Sequence, residues 1–73
     1  MKKKMTDMRV GDTGVIKEIP EDISTIISAM GLRKEQTVKL TAIQPARGPF
    51  VVTAKNIDIS VSWTHANRIL VEV

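Results

Sequence analysis

Ile23-Ser24-Thr25-Ile26-Ile27-Ser28-Ala29-Met30-Gly31-Leu32 decides how this chain reads, because it is a short helical pattern with a definite stop set among strand-like segments. Ile23, Ile26, Ile27 and Met30 follow the i, i+3, i+4, i+7 spacing that puts apolar side chains on one helical face. Gly31 ends the helix. Glycine accepts the left-handed conformation of a helix terminus without steric cost, and the apolar Leu32 behind it can fold back onto the last turn. Glu21 and Asp22 at the other end suit the positive end of the helix dipole, with Asp22 placed to cap it.

Outward from this helix the chain reads as β structure. On the amino-terminal side, Met5 to Val10 forms a short turn or a single helical turn, and Gly11-Asp12-Thr13-Gly14 reverses the chain into a strand from Val15 to Ile19. Pro20 ends that strand by withholding its amide from the ladder. Beyond the polar Arg33-Lys34-Glu35-Gln36, Thr37 to Ala42 alternates, with Val38, Leu40 and Ala42 on one face. Ile43 breaks the alternation, which predicts a bulge or the strand's end, and Pro45-Ala46-Arg47-Gly48-Pro49 is a loop. Phe50 to Ala54 is the next strand. Lys55-Asn56 turns it into another, in which Ile57, Ile59 and Val61 alternate with Asp58, Ser60 and Ser62, so the two form a hairpin. Trp63 to Asn67 makes a helical turn, and a last strand carrying Ile69, Val71 and Val73 runs to the terminus.

About five short antiparallel strands with one inserted helix define a mainly β chain. Closing them into a small SH3-like barrel removes exposed edges, and the helix then caps one open end with its Ile23/Ile26/Ile27/Met30 stripe on the strands. With 73 residues the expectation is one domain over 1–73, with residues 1–5 as a mobile basic amino-terminal tail. There is no cysteine to build a disulfide or thiolate zinc site, and no apolar run reaches the roughly 20 residues of a membrane span. A soluble, cytoplasmic protein is therefore expected. The formal net charge is +3, with much of the excess at Lys2-Lys3-Lys4.

Catalytic chemistry has no obvious carriers. His65 is the only histidine and the carboxylates are scattered, so neither a nucleophilic triad nor a metal site of three or four ligands assembles from the pattern. Gly11 and Gly14 lack the lysine and hydroxyl of a phosphate-cradling loop and read as turn residues. No cofactor, no metal site and no enzyme activity are expected.

Val10-Gly11-Asp12-Thr13-Gly14-Val15, the helix end Met30-Gly31-Leu32, Val38, the loop Pro45-Ala46-Arg47-Gly48-Pro49 and the closing Ala66-Asn67-Arg68-Ile69-Leu70-Val71 together resemble the FeoA family of ferrous iron transport proteins, over nearly the whole chain. The resemblance implies an SH3-like barrel with an inserted helix, and a small cytoplasmic protein that binds and regulates FeoB, a membrane ferrous iron transporter with a cytoplasmic GTP-binding domain. The membrane would be reached only through that partner. Two positions depart from the pattern: Glu35 stands where the family usually has the glycine of a Pro-Gly turn, and Trp63 where a polar or basic side chain is usual.

Partner contacts are expected at Leu32, Arg33 and Lys34 behind the helix, or at Arg47, Gly48 and Pro49 on the proline-bounded loop. Trp63 suits an interaction surface or the core. Three alternatives stay open: a nucleic-acid-binding SH3-like module, for which only Phe50 and Trp63 could stack on bases; a regulatory barrel like the carboxy-terminal domain of iron-dependent repressors; and direct metal binding through His65 and carboxylates such as Asp58. Self-association into a homo-oligomer would also suit a chain this small.

Overall fold

Helix α1 covers Glu21–Ala29 in the computed structural model, which describes residues 1–73. Its end is a Schellman closure. Leu32 N–H donates to the Ile27 carbonyl (3.2 Å) and Gly31 N–H to the Ser28 carbonyl (3.0 Å), with Gly31 at φ +99°. Leu32 completes the motif from inside the core, where it is fully buried. At the start of the helix Pro20 occupies the cap position and no side chain caps it. Asp22 is therefore not the cap; it pairs with Arg68 instead. The apolar stripe is also narrower than its spacing implied, since Ile23 and Ile27 are buried and Met30 is half-buried, but Ile26 is 51% exposed. At about 100° per residue, Ile26 lies roughly 60° from Ile23 and 100° from Ile27, on the shoulder of the face that meets the sheet.

The strands are β1 (Lys2–Lys4), β2 (Thr13–Glu18), β3 (Thr37–Ile43), β4 (Phe50–Ala54), β5 (Ile57–Val61) and β6 (Leu70–Glu72), with a single 3-10 turn at Met5–Asp7 and a one-turn helix α2 at Trp63–Ala66. They form one antiparallel sheet in the order β1-β6-β2-β3-β4-β5. The sheet has the SH3-like curl but does not close, so β1 and β5 remain as edges.

The sixth strand corrects the expectation of a mobile tail over residues 1–5. Lys2, Lys3 and Lys4 pair with Glu72, Val71 and Leu70, Met5 is fully buried, and the amino-terminal ammonium meets the Glu72 carboxylate. The reason is β6, whose second side needs a partner ladder, and Met5, whose burial pins the strand against it.

β3 carries its bulge at Thr41, between the Leu40↔Val52 and Ala42↔Val51 pairs, and runs on to Ile43. The β4–β5 hairpin turns on Lys55 and Asn56 at φ 51° and 65°, the double left-handed geometry of a type I′ turn. Ile59 and Val61 are buried while Ile57, beside the turn, is 63% exposed because the core has ended there. Sixteen apolar side chains form one core with Ile19, Met30 and Trp63 packed at its margin, and no polar or charged side chain is buried. Whatever this protein recognises, it recognises at its surface.

Candidate partner-binding surface

Two clefts lie at opposite ends of the β4–β5 hairpin. The first is built by the loop between β3 and β4. Ala46 and Arg47 are both left-handed, at φ 56° and 57°, a conformation that costs a side-chain-bearing residue about 1–3 kcal/mol. Backbone bonds from Gln44 N–H to the Pro49 carbonyl (3.0 Å) and from Gly48 N–H to the Pro45 carbonyl (3.1 Å) hold the loop in that shape. Gly48 is required by packing: a Cβ there would lie 2.6 Å from Cβ of Gln44 and 3.0 Å from the Pro45 carbonyl oxygen.

Because Phe50 pairs with Val61, the loop comes to rest beside the start of α2. The Arg47 guanidinium sits 4.8 Å from the centre of the Trp63 ring, a cation–π contact worth about 0.5–1 kcal/mol at an exposed site. Pro49, Ser60, Ser62 and Thr64 complete the cleft. Arg47 takes part in none of the ion pairs, so its donor fork stays open to a partner's carboxylate. The structure thus brings Trp63 to Arg47 and Pro49, a loop set the sequence offered apart from the tryptophan, while Gly48 shapes the loop without lining the cleft.

The second cleft contains Arg33 and Lys34, both exposed. Leu32 does not join them, which corrects its assignment as a contact residue: the helix closure turns it into the core. The loop behind it is braced by Arg33 N–H donating to Gln36 Oε1 (3.2 Å) and Gln36 Nε2 donating to the Gly31 carbonyl (3.2 Å). It is also tied to β2 through Glu35 N–H to the Ile16 carbonyl (2.7 Å) and Ile16 N–H to the Gln36 carbonyl (2.9 Å). Glu35 has φ 66°, the conformation for which a glycine would be chosen, and its carboxylate is 3.0 Å from Lys17 Nζ. Lys39, Lys55 and Ile57 line the same cleft. Their spacing in the chain gives no hint of this; only a lysine inside the hairpin turn could have drawn attention to them.

Other charged contacts brace the fold. The Arg68 guanidinium grips Asp22 through two bonds of 2.8 Å, tying the start of α1 to the turn before β6. This hydrogen bonding, more than simple charge attraction, holds the Asp22 carboxyl below its ordinary range and raises Arg68 in return. The hydrogen bond from the amino-terminal ammonium lowers Glu72 in the same way. His65 is half-buried in α2, and no three His, Asp or Glu side chains come together as a metal site would need. Phe50 is buried in the core, which leaves Trp63 as the aromatic ring available at the surface.

An SH3-like sheet with an inserted helix, an apolar interior and two surface clefts defines a small SH3-like domain. The chain belongs to the FeoA family, whose model, described as the FeoA domain, matches residues 3–73. Among solved structures it is similar to an iron uptake regulatory protein (FeoA), at 22% identity and TM-score 0.87 over 99% of this chain and 96% of that one. A FeoA-like protein from Clostridium acetobutylicum is similar at 20% identity and TM-score 0.86, over 99% and 86% of the two chains. A manganese-dependent transcriptional repressor shares the fold at 18% identity and TM-score 0.88, with this chain spanning 97% of its own length but 41% of the repressor's. At these identities the likeness is one of fold. No curated protein sequence matches the chain. Family membership associates it with ferrous iron uptake, and no helix is long and apolar enough to cross a membrane.

Proposed function

We propose that this protein is a cytoplasmic accessory factor of ferrous iron uptake that binds the FeoB-type membrane transporter from its cytoplasmic side and regulates it by protein–protein contact, with no enzymatic step of its own. The family match over residues 3–73 carries this reading. The Arg47–Trp63 cleft is the contact surface. Arginine and tryptophan are the residue types that most often dominate binding energy at interfaces, and here a strained loop holds them against each other in advance of any partner. Arg33 and Lys34 lie at the other end of the hairpin and are not needed for this contact.

Biolayer interferometry against the cytoplasmic domain of the cognate transporter, with and without guanine nucleotide, tests the proposal. Specific binding is expected, and Arg47→Glu should weaken it at least about tenfold while lowering the melting temperature by no more than a few degrees, because Arg47 is exposed, outside the core and held only by its contact with Trp63. Absence of binding by the wild-type chain would refute the partner. Binding only to a short RNA run alongside, weakening steeply with added salt, would move the protein to the nucleic-acid class.

A further inference from the structure

The groove at the turn end of the β4–β5 hairpin has a composition of its own. It encloses about 830 Å³ between the loop after α1 and the hairpin tip, and is lined by Arg33, Lys34, Lys39 and Lys55. None of these four takes part in an ion pair, whereas the one carboxylate in the groove, Glu35, is held by Lys17. Four cations against one carboxylate leave an excess of three, equal to the formal net charge of the whole chain. The groove thus gathers four of the eleven basic side chains with none of them in an ion pair, while Lys2 and the amino-terminal ammonium at the opposite sheet edge are paired with Glu18 and Glu72.

Beneath the charges the groove is apolar. Met30 is half-buried and Ile57 is 63% exposed, a large aliphatic side chain presented beside a rigid type I′ turn. Ile57 begins β5, the edge strand that an unclosed sheet leaves with one row of backbone donors and acceptors unpaired. Unpaired strand, exposed aliphatic anchor and flanking cations together match an extended chain that is acidic and carries an apolar residue. Nucleic acid fits less well, because the groove contains no aromatic ring on which a base could stack.

We infer that this groove docks an acidic extended segment of a partner protein, with an aliphatic side chain of that segment against Ile57 and Met30. The site is separate from the Arg47–Trp63 cleft. The hairpin between them spans four residue steps, about 13 Å, so a single partner could occupy both surfaces, and linking two modest contacts in one molecule raises overall affinity.

The test uses the full chain and short fluorescein-labelled peptides of alternating glutamate and leucine, with the glutamates replaced by glutamine or lysine in two control peptides. Fluorescence anisotropy should show saturable binding of the acidic peptide, at least about tenfold tighter than the glutamine version and weakening with salt. Amide shifts in heteronuclear NMR should fall on residues 33–39 and 53–57. Lys34→Glu combined with Lys55→Glu should abolish the preference at unchanged melting temperature, Ile57→Ser should weaken both acidic and neutral peptides, and Arg47→Glu should leave peptide binding intact. Equal affinity for the acidic and glutamine peptides, shifts centred on Arg47 and Trp63, or tighter binding of a single-stranded RNA in the same groove at physiological salt would each overturn the inference. Since no transporter domain is present in this assay, its outcome is independent of the transporter proposal.

Discussion

The two loops that leave the core, Gly31–Gln36 and Gln44–Pro49, both use left-handed backbone, but to different ends. In the first, Gly31 takes the positive φ without penalty, Leu32 goes into the core, and Glu35 is locked to β2 by backbone bonds. In the second, Ala46 and Arg47 are strained side by side, and no side chain from Gln44 to Pro49 is buried. Strain that supports packing is explained by packing. Strain in a loop the core does not use is explained by what the loop presents, here Arg47 over Trp63.

Breaking the core side of this comparison should have the largest effect. Ile27→Asp places an unpaired charge among buried apolar side chains and should unfold a domain whose total stability is on the order of 5–10 kcal/mol, seen as loss of the circular dichroism signal. Leu32→Ala should cost about 2–5 kcal/mol in chemical denaturation, because the cavity lies under the helix closure; a loss below 1 kcal/mol, on the scale of a surface change, would return Leu32 to the contact surface.

Gly48→Ala tests the other loop. The added methyl group has no room beside Gln44 and Pro45, so the loop must shift, at a cost of about 1–3 kcal/mol, and transporter affinity should fall with it. Retained affinity would mean that the loop's shape is not read by the partner.

Glu35→Gly sharpens the comparison with a small gain. Relief of the left-handed strain is partly offset by glycine's greater freedom in the unfolded chain and by loss of an exposed pair with Lys17, so denaturant unfolding should show stabilisation of less than about 1 kcal/mol.

The smallest effect concerns acid. The carboxyls of Asp22 and Glu72 are lowered in the fold, so their contribution is complete above the ordinary carboxylate values of 3.8 and 4.5 and is lost as pH falls through the lowered folded-state values. The melting temperature of the Asp22→Asn/Glu72→Gln double variant should therefore fall less steeply with acid in that window than that of the wild type.

Features encoded by neighbouring residues were legible in the sequence. The glycine-closed helix end, the strand Phe50–Ala54, the hairpin on Lys55-Asn56 and the turn at Trp63 all appear where periodicity and turn chemistry place them. The first strand was not legible, because Lys2-Lys3-Lys4 has no alternation of its own and exists as a strand only through pairing with Leu70–Glu72 at the far end of the chain. Of the site, Arg33 with Lys34 and Arg47 with Gly48 and Pro49 stood out as loop residues and Trp63 as an interface type, but the pairing of Trp63 with Arg47 did not, and nothing beyond the turn position of Lys55 hinted that Lys39, Lys55 and Ile57 lie beside Arg33 and Lys34.

By itself the sequence determined the mainly β class and the order of elements beyond the first strand, with ends good to a residue or two, since these follow from side-chain period and backbone preference over short stretches. Tertiary structure alone decided that the sheet stays open, that Leu32 is core while Ile26 and Ile57 are surface, and which charges share a groove. The physical reason is that periodicity defines the direction a side chain faces, but how deeply that face is covered, and what lies across from it, depends on segments brought together from distant parts of the chain.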